Sequence, residues 1–426
     1  MIKIKFTHKE IFNYLFAFFF IFILFKPSPT RLLGEILGFK LFDILAFLIV
    51  LLIALFMFKY PSSLFVEKKI FSVFPIRILS LISILSLMSQ YIATIFLGLP
   101  TVLNDLFEMY RYFYYIIVFI IGYIAGTLYE SRRLKFLFLI SGGIVTFIAL
   151  LQYFNPMNVQ SIISILYTDI KLRSISTSNP RVFGSMYNAN WYGVFASIWA
   201  SYTFVLLQNA RMNIKIIPRI LIFLYGVFGV VMSGSRTGFI LLLLGVLIAL
   251  VFSLFKRISF KLIGISLFFI AGFSILLPKI IEKSQRFNEL YLALKTGSLR
   301  NVSSFDGRIE TMSSSIEYAL INPITGIGFG NFYELLPHNS YILVFIQFGL
   351  IGFVCFVLFF VYNSLKMSQG FINNKSEDNH IIMLGLQTNF IFITAMLTGE
   401  FINSIQIMSI YLLLIGYVIG FIKSNK

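Results

Sequence analysis

Cysteine, histidine and charge are scarce in this chain of 426 residues. Its single cysteine, Cys355, excludes an intramolecular disulfide. Only 12% of the residues are charged, and 17 of them are acidic. The segments between the long apolar runs that are predicted below to face outward contain no D-x-D pattern and no histidine-rich metal pattern. They also contain no spaced pair of carboxylates. These absences exclude a two-carboxylate glycosidase and favour chemistry that needs neither metal nor cofactor.

What the chain has in abundance is apolar residues, at 58% of the sequence and with 51 phenylalanines. Apolar runs of about 18 or more residues are typical of transmembrane helices. Twelve such runs are predicted: 11–25, 40–58, 76–98, 112–128, 136–153, 188–207, 215–233, 237–254, 260–277, 341–362, 381–398 and 404–422. The first run has no small-residue cleavage site before Lys26, so we interpret it as a retained helix. The sequence therefore predicts an all-α, polytopic membrane protein, with residues 1–426 forming one transmembrane domain.

The positive charges predict the orientation, because basic residues concentrate in cytoplasmic loops. With the N-terminus in the cytoplasm, every short inner segment carries at least two basic residues, as Arg132, Arg133 and Lys135 do in one of them. The C-terminus is then also cytoplasmic, and the expected location is the cytoplasmic (inner) membrane. The net charge of +17 is mostly a topology signal. Nucleic-acid binding is not expected, because the charge is dispersed over loops between spans.

Two predicted outer segments, 154–187 and 278–340, are too long to be simple connections. The second lies before the tenth helix and is the longest polar stretch. Apolar residues recur at helical spacing over 281–294. A second helix is predicted to start at Ser304 and to end before Pro323. We expect two short amphipathic helices over the outer face of the bundle.

Four outer-face residues stand out under this topology: Arg181 in RVFGSMYNANWYG, Arg236 in SGSRTG, Arg308 in FDGRIE and His338 in PHNSY. Arginine is the side chain best suited to grip phosphate oxygens in bidentate fashion. The turn before Arg236 also opens a helix, whose N-terminus favours an anion. The four residues together predict a site for a diphosphate head group at the outer leaflet.

Each of these residues also has a simpler interpretation. Arg236 alone fits an interfacial anchor, and Arg181 an ordinary loop cation. Arg308 fits a solvated charge paired with a neighbouring acid, and His338 fits a helix cap shared with Asn339. The glycines at 326, 328 and 330 do not indicate a nucleotide loop, because no strand precedes them. We interpret them as tight turns that bring His338 against the bundle.

The succession RVFGSMYNANWYG, SGSRTGFILLLLG, NPITGIGFGNF and HNSYILVFIQFGLIG resembles the O-antigen ligase and O-antigen polymerase superfamily of bacterial membrane glycosyltransferases. The resemblance implies a glycan donor carried on undecaprenyl diphosphate. It also implies that Arg236 and Arg308 bind the diphosphate, that Arg181 assists, and that His338 acts as general base or positions the acceptor. The first half of the chain has no matching motif.

The residue types fit such a transfer. Arginines stabilise the charge that develops on a departing diphosphate, and an imidazole can take the acceptor proton. Glu400, near the outer end of the eleventh predicted helix, is the candidate carboxylate that orients His338 or an arginine.

Three functions remain open at this point. The preferred one is a polymerase of O-antigen or capsular repeat units, with lipid-linked donor and acceptor, a flippase and a chain-length regulator as partners. The alternatives are a ligase that transfers the glycan to the lipid A core, and a transporter or flippase of lipid-linked sugars. A transporter would require charges within the helices along an aqueous path.

Overall fold

The computed structural model describes residues 7–27, 35–61, 70–166, 181–186, 188–208, 215–254, 285–296, 306–329, 337–374 and 378–425. Within these ranges all long elements are helices, and no strand occurs. They are α1 (His8–Leu24), α2 (Glu35–Lys59), α3 (Phe74–Ile95), α4 (Leu103–Leu128), α5 (Ser131–Phe154), α6 (Val159–Leu166), α7 (Ala189–Gln208), α8 (Ile216–Met232), α9 (Arg236–Leu254), α10 (Gln285–Thr296), α11 (Asp306–Ala319), α12 (Ser340–Asn373), α13 (Asn379–Ala395) and α14 (Ile405–Ser424). The prediction of an all-α, polytopic membrane protein is confirmed.

Among the described residues, seven helices are long and apolar enough to cross a membrane: α2, α3, α4, α5, α9, α12 and α14. Helices α1, α7, α8 and α13 coincide with four further predicted spans. The run predicted at 260–277 lies outside the described residues, so twelve spans stay a prediction. Helices α10 and α11 lie in the stretch for which two short helices were predicted.

Helix α4 begins at Leu103, nine residues before the span predicted at 112–128. The sequence predicts a boundary after the charged residues, but the structure gives these residues partners within the helix start. Asp105 accepts a hydrogen bond from the backbone N–H of Val102 at 2.9 Å and so caps the helix. Glu108 and Arg111, one turn apart, form a two-hydrogen-bond ion pair. Charges in the first turns of a membrane helix are tolerated when they are paired in this way.

The centre of the bundle is the contact between α4 and α14, and α14 is buried from Ile405 to Ile422. Each helix presents two glycines four residues apart, Gly122 and Gly126 on α4 and Gly416 and Gly420 on α14. A Cβ atom at Gly126 would lie 2.0 Å from the carbonyl oxygen of Tyr417, and one at Gly420 would lie 2.1 Å from that of Tyr123. Only glycine lets the two backbones approach this closely, which is the usual role of a G-x-x-x-G pattern between membrane helices.

Helix α12 is broken at Gly349, where φ is 62° and ψ is −163°. The glycine-containing loop before α12 fills the break. The N–H groups of Ile327 and Gly328 donate to the carbonyls of Ile346 and Gln347 at 2.9 and 3.2 Å. In return, the N–H of Leu350 donates to the carbonyl of Pro323 at 2.8 Å. The loop thus replaces backbone hydrogen bonds that an apolar surrounding cannot supply.

Two of the three glycines singled out in this loop, Gly326 and Gly328, have positive φ values of 77° and 71°, as tight turns require. Gly330 lies outside the described residues. A Cβ at Gly326 would lie 2.4 Å from the carbonyl oxygen of Gln347. The loop is therefore fixed against α12. His338 lies just before the first turn of the same helix.

One end of the bundle, which we call the site face, gathers the loops that carry the candidate residues. It comprises residues 181–186, 233–236 and 396–404 and the start of α12. Its loops are connected by hydrogen bonds: Gln406 donates to the carbonyl of Ser185 at 3.1 Å, and Tyr115 donates to that of Ile402 at 2.7 Å. Helices α9 and α13 lead to this face and are in contact near their middles, where Gln387 donates to the carbonyl of Gly245 at 2.9 Å.

Candidate functional site

The turn Ser233–Arg236 positions Arg236 as the first residue of α9. Gly234 has a positive φ of 57°, which directs the chain into the new helix. The hydroxyl of Ser233 accepts from the N–H of Ser235 at 3.1 Å, and the hydroxyl of Ser235 accepts from that of Gly238 at 3.1 Å. Two amides near this helix start are therefore already occupied by serine oxygens. The guanidinium groups, rather than the helix N-terminus, are then the main candidates for binding an anion here.

Arg181 lies across the same turn. Its Nη2 donates to Oδ1 of Asn190 at 2.7 Å, and its Nε donates to the carbonyl of Ser233 at 3.4 Å. A Cβ at Gly234 would lie 3.2 Å from Cγ of Arg181, so the glycine leaves room for this side chain. The loop that carries Arg181 is in turn held by Gln152, whose Oε1 accepts from the N–H of Gly184 at 2.8 Å. Arg181 and Arg236 thus belong to one local structure.

Arg236 forms an ion pair that the sequence did not indicate. Its Nη1 lies 3.1 Å from Oε2 of Glu289 on α10, and the two side chains are only 18% and 17% exposed. Glu289 is one polar residue of a surface helix and is separated from Arg236 by 53 positions, so no spacing pattern connects them. This pair attaches the first short helix of the 278–340 stretch to the site face.

His338 and Glu400 form the second part of the site. Nδ1 of His338 lies 3.0 Å from Oε1 of Glu400. The imidazole is 54% exposed, and the carboxylate is 21% exposed, so the ring is accessible to a substrate. The two segments are joined next to this pair, where the N–H of Ser340 donates to the carbonyl of Met396 at 2.8 Å and the N–H of Phe401 donates to Oγ of Ser340 at 3.0 Å.

The helix cap of α12 is made by Asn339, not by His338. Oδ1 of Asn339 accepts from the N–H groups of Tyr341 and Ile342 at 2.9 and 3.2 Å. The simpler interpretation of His338 as a capping residue therefore does not describe this site. Its imidazole is directed to Glu400 instead.

The electrostatics of this pair favour a neutral imidazole. Partial burial lowers the pKa of His338, and the positive charge of Arg308 on α11 lowers it further. Burial raises the pKa of Glu400 to about 7. A neutral imidazole that carries its proton on Nδ1, the atom facing Oε1 of Glu400, keeps the Nε2 lone pair available to accept a proton.

The structure therefore places four of the five predicted residues on the site face, in two groups. Arg181 and Arg236 adjoin the Ser233–Arg236 turn, and His338 and Glu400 adjoin the start of α12. Arg308 lies on α11, close enough to His338 to lower its pKa. The roles of the five residues remain predictions. The described residues contain no group of three or more His, Cys, Asp or Glu side chains that could hold a metal ion.

The fold and this arrangement define a multi-pass membrane protein with cationic and imidazole groups gathered at one face. A protein-family model described as O-antigen ligase matches residues 221–357. The match includes Arg236, Arg308, His338 and the break at Gly349, and it ends before Glu400. No curated protein matches the chain. The family match confirms the resemblance to the O-antigen ligase and polymerase superfamily that the sequence motifs indicate.

Proposed function

We propose that this protein is a polymerase of O-antigen or capsular polysaccharide, which joins undecaprenyl-diphosphate-linked repeat units at the outer face of the cytoplasmic membrane. The observation that carries the proposal is the close pair of His338 and Glu400, with Nδ1 and Oε1 3.0 Å apart, beside Arg308 and on the same face as Arg181 and Arg236. The family match supports the broader class, a glycosyltransferase-like enzyme acting on lipid-linked polysaccharide.

The proposed reaction transfers the glycan from a diphosphate to a sugar hydroxyl, without metal or cofactor. The acceptor oxygen forms a bond to the anomeric carbon, while the bond from that carbon to the diphosphate oxygen breaks. His338 takes the acceptor proton at Nε2, and Glu400 holds the ring through Nδ1–H. Arg236 and Arg308, assisted by Arg181, stabilise the charge that develops on the leaving diphosphate.

The ligase is the second candidate, because it would use the same donor and the family description names that activity. We prefer the polymerase on the resemblance of residues 338–352 to the corresponding polymerase segment. The transporter reading requires charges along a path through the bundle. Two charged residues within helices near the site face have partners of opposite charge. Arg111 pairs with Glu108, and Asp43 pairs with Lys26, just after the end of α1. These pairs lie near helix ends, which fits an enzyme better than a transporter.

A reconstituted assay with the purified full-length protein separates the three functions. It contains lipid-linked repeat units, with lipid A core offered as a competing acceptor. A polymerase is expected to produce chains of several repeat units on undecaprenyl diphosphate. Transfer to lipid A core alone would replace the polymerase with the ligase. Movement of the lipid-linked sugar across the bilayer with no new glycosidic bond would leave only the transporter.

The proposed topology has both termini in the cytoplasm and α10 outside. In a Cys355→Ser background, a cysteine at Thr296 is expected to react with a membrane-impermeant maleimide in intact spheroplasts. A cysteine at Arg133, in the first turn of α5, is expected to react only after the membrane is opened. The reverse pattern would contradict the proposed function as well, because its substrate is presented on the outer side.

The same proposal includes partners that act before and after the transfer. A flippase must deliver lipid-linked repeat units to the outer leaflet, and a chain-length regulator would set the number of units joined. The only support for these partners is the reaction class.

A further inference from the structure

The pair between Arg236 and Glu289 involves the guanidinium that the proposed function assigns to the diphosphate. Its two atoms lie 3.1 Å apart, and more than four-fifths of each side chain is buried. Glu289 comes from α10, whereas Arg236 starts α9, so the contact connects a helix of the 278–340 stretch to the site face. A carboxylate therefore occupies part of a guanidinium that is expected to bind phosphate oxygens.

A carboxylate and a phosphate present similar acceptor oxygens to an arginine. Both align with the planar fork of N–H donors, and both gain from its positive charge. An Nη1–H that donates to Glu289 is not available in the same geometry to a phosphate oxygen. Binding of the diphosphate through this edge of Arg236 thus requires that Glu289 gives way or shares the donor.

Competition between Glu289 and the diphosphate for Arg236 would help the product to leave. The donor and the product both carry the undecaprenyl diphosphate group, so arginines that bind one also bind the other. A site made only of cations would retain the product after each transfer. An internal anion that returns to the arginine weakens the binding of donor and product by the same factor. The reason is that either ligand binds only the fraction of molecules in which the internal anion has left the arginine.

We propose that Glu289 is an internal competitor for the diphosphate. It pairs with Arg236 in the empty site, yields to the donor, and returns to Arg236 as undecaprenyl diphosphate leaves. This inference rests on the proposed function, because it requires Arg236 to bind the diphosphate. It adds a residue that controls substrate affinity and product release, outside the group that acts on the reacting atoms.

The test is a binding experiment on the full-length protein in nanodiscs, with undecaprenyl diphosphate as the probe. Glu289→Gln keeps the size of the side chain and removes its charge. This variant is expected to bind undecaprenyl diphosphate about twofold to fivefold more tightly than the unaltered protein, which is the size of effect expected for loss of one ion pair. Turnover at saturating donor is expected to be equal or lower, with stronger inhibition by added undecaprenyl diphosphate.

Glu317→Gln is the matched control, because Glu317 is an exposed acid on the neighbouring helix α11. It removes the same charge from the same stretch and is expected to leave binding unchanged. An equal gain in both variants would assign the effect to general electrostatics and overturn the proposal. Unchanged or weaker binding by Glu289→Gln alone would also overturn it, since Glu289 would then only hold Arg236 or α10 in place.

A double variant separates failure of this inference from failure of the proposed function. In an Arg236→Ala background, Glu289→Gln is expected to change binding no further, because the competitor has lost its target. A gain of the same size in that background would show that Glu289 acts elsewhere. If Arg236→Ala alone leaves undecaprenyl diphosphate binding unchanged, the diphosphate role of Arg236 itself is wrong.

Discussion

Replacing His338 with alanine is expected to lower the rate of chain extension about a hundredfold or more, since this is the usual contribution of a general base. Binding of the lipid-linked donor is expected to stay nearly intact, because the arginines that hold the diphosphate remain. The measurement compares turnover and donor retention on the same purified protein. Full extension by the variant would exclude His338 as the base, and a parallel loss of donor binding would give it a binding role instead.

The pH dependence of turnover provides a second measurement on the same pair. The pKa of His338 lies below its ordinary value of 6.5, so the imidazole is neutral at pH 7 and is lost as a base only as the pH falls through that lowered value. Burial raises the pKa of Glu400 to about 7, so the carboxylate that faces Nδ1 of His338 becomes protonated over a higher pH range. Activity of the unaltered protein is therefore expected to decline from about pH 7 downward.

Glu400→Gln identifies which group causes this decline. The amide oxygen can still accept the Nδ1–H, but it does not titrate. Maximal turnover is expected to fall, while the acidic limb of the profile moves to lower pH and reports His338 alone. Coincident acidic limbs in the variant and the unaltered protein would show that Glu400 does not orient the base.

The helical architecture could be predicted from the sequence because the bilayer imposes it. Long apolar runs have few alternatives to a membrane helix, and eleven of the twelve predicted runs coincide with helices among the described residues. The start of α4 could not be predicted in the same way. Its charges at Glu108 and Arg111 suggest a loop until their pairing is known, and pairing is a property of the folded protein.

The break at Gly349 illustrates a second limit. The segment reads as a continuous apolar helix, and a single glycine in such a run is common. The break exists because the loop from Pro323 to Gly328 supplies hydrogen bonds to both sides of it. The break can be recognised only when the contact between this loop and α12 is known. The same holds for the G-x-x-x-G patterns of α4 and α14, whose residues are visible in the sequence although their mutual contact is not.

The candidate site divides in a similar manner. The residues Arg181, Arg236, Arg308 and His338 could be selected from the sequence because candidate polar groups on the predicted outer face are few. Glu400 was selected by its position near a helix end, and it does lie beside His338. Glu289 could not be selected, since an acid on an amphipathic helix is ordinary. Its significance depends entirely on the contact with Arg236.

Arg236→Ala is expected to lower activity about tenfold to a hundredfold, because a charge-assisted hydrogen bond to a buried anion typically contributes about 1.5–3 kcal/mol. Unlike His338→Ala, it is expected to weaken donor binding as well as turnover. Arg133→Ala is the matched control, since Arg133 also pairs with a glutamate, Glu130, but at the end of the bundle opposite the site face. The control is expected to retain activity at equal abundance in the membrane.

Arg236→Lys distinguishes a guanidinium that grips phosphate from a cation that only anchors the helix. Lysine keeps the positive charge and can still reach the bilayer interface, but it lacks the planar fork that binds two oxygens at once. If Arg236 is a diphosphate ligand, the lysine variant is expected to fall between the alanine variant and the unaltered protein in both donor binding and turnover. An interfacial anchor would tolerate lysine fully, because snorkelling requires only a long stem and a charge. Full activity of both variants would therefore reduce Arg236 to an anchor and leave Arg181 and Arg308 as the remaining candidates for the diphosphate.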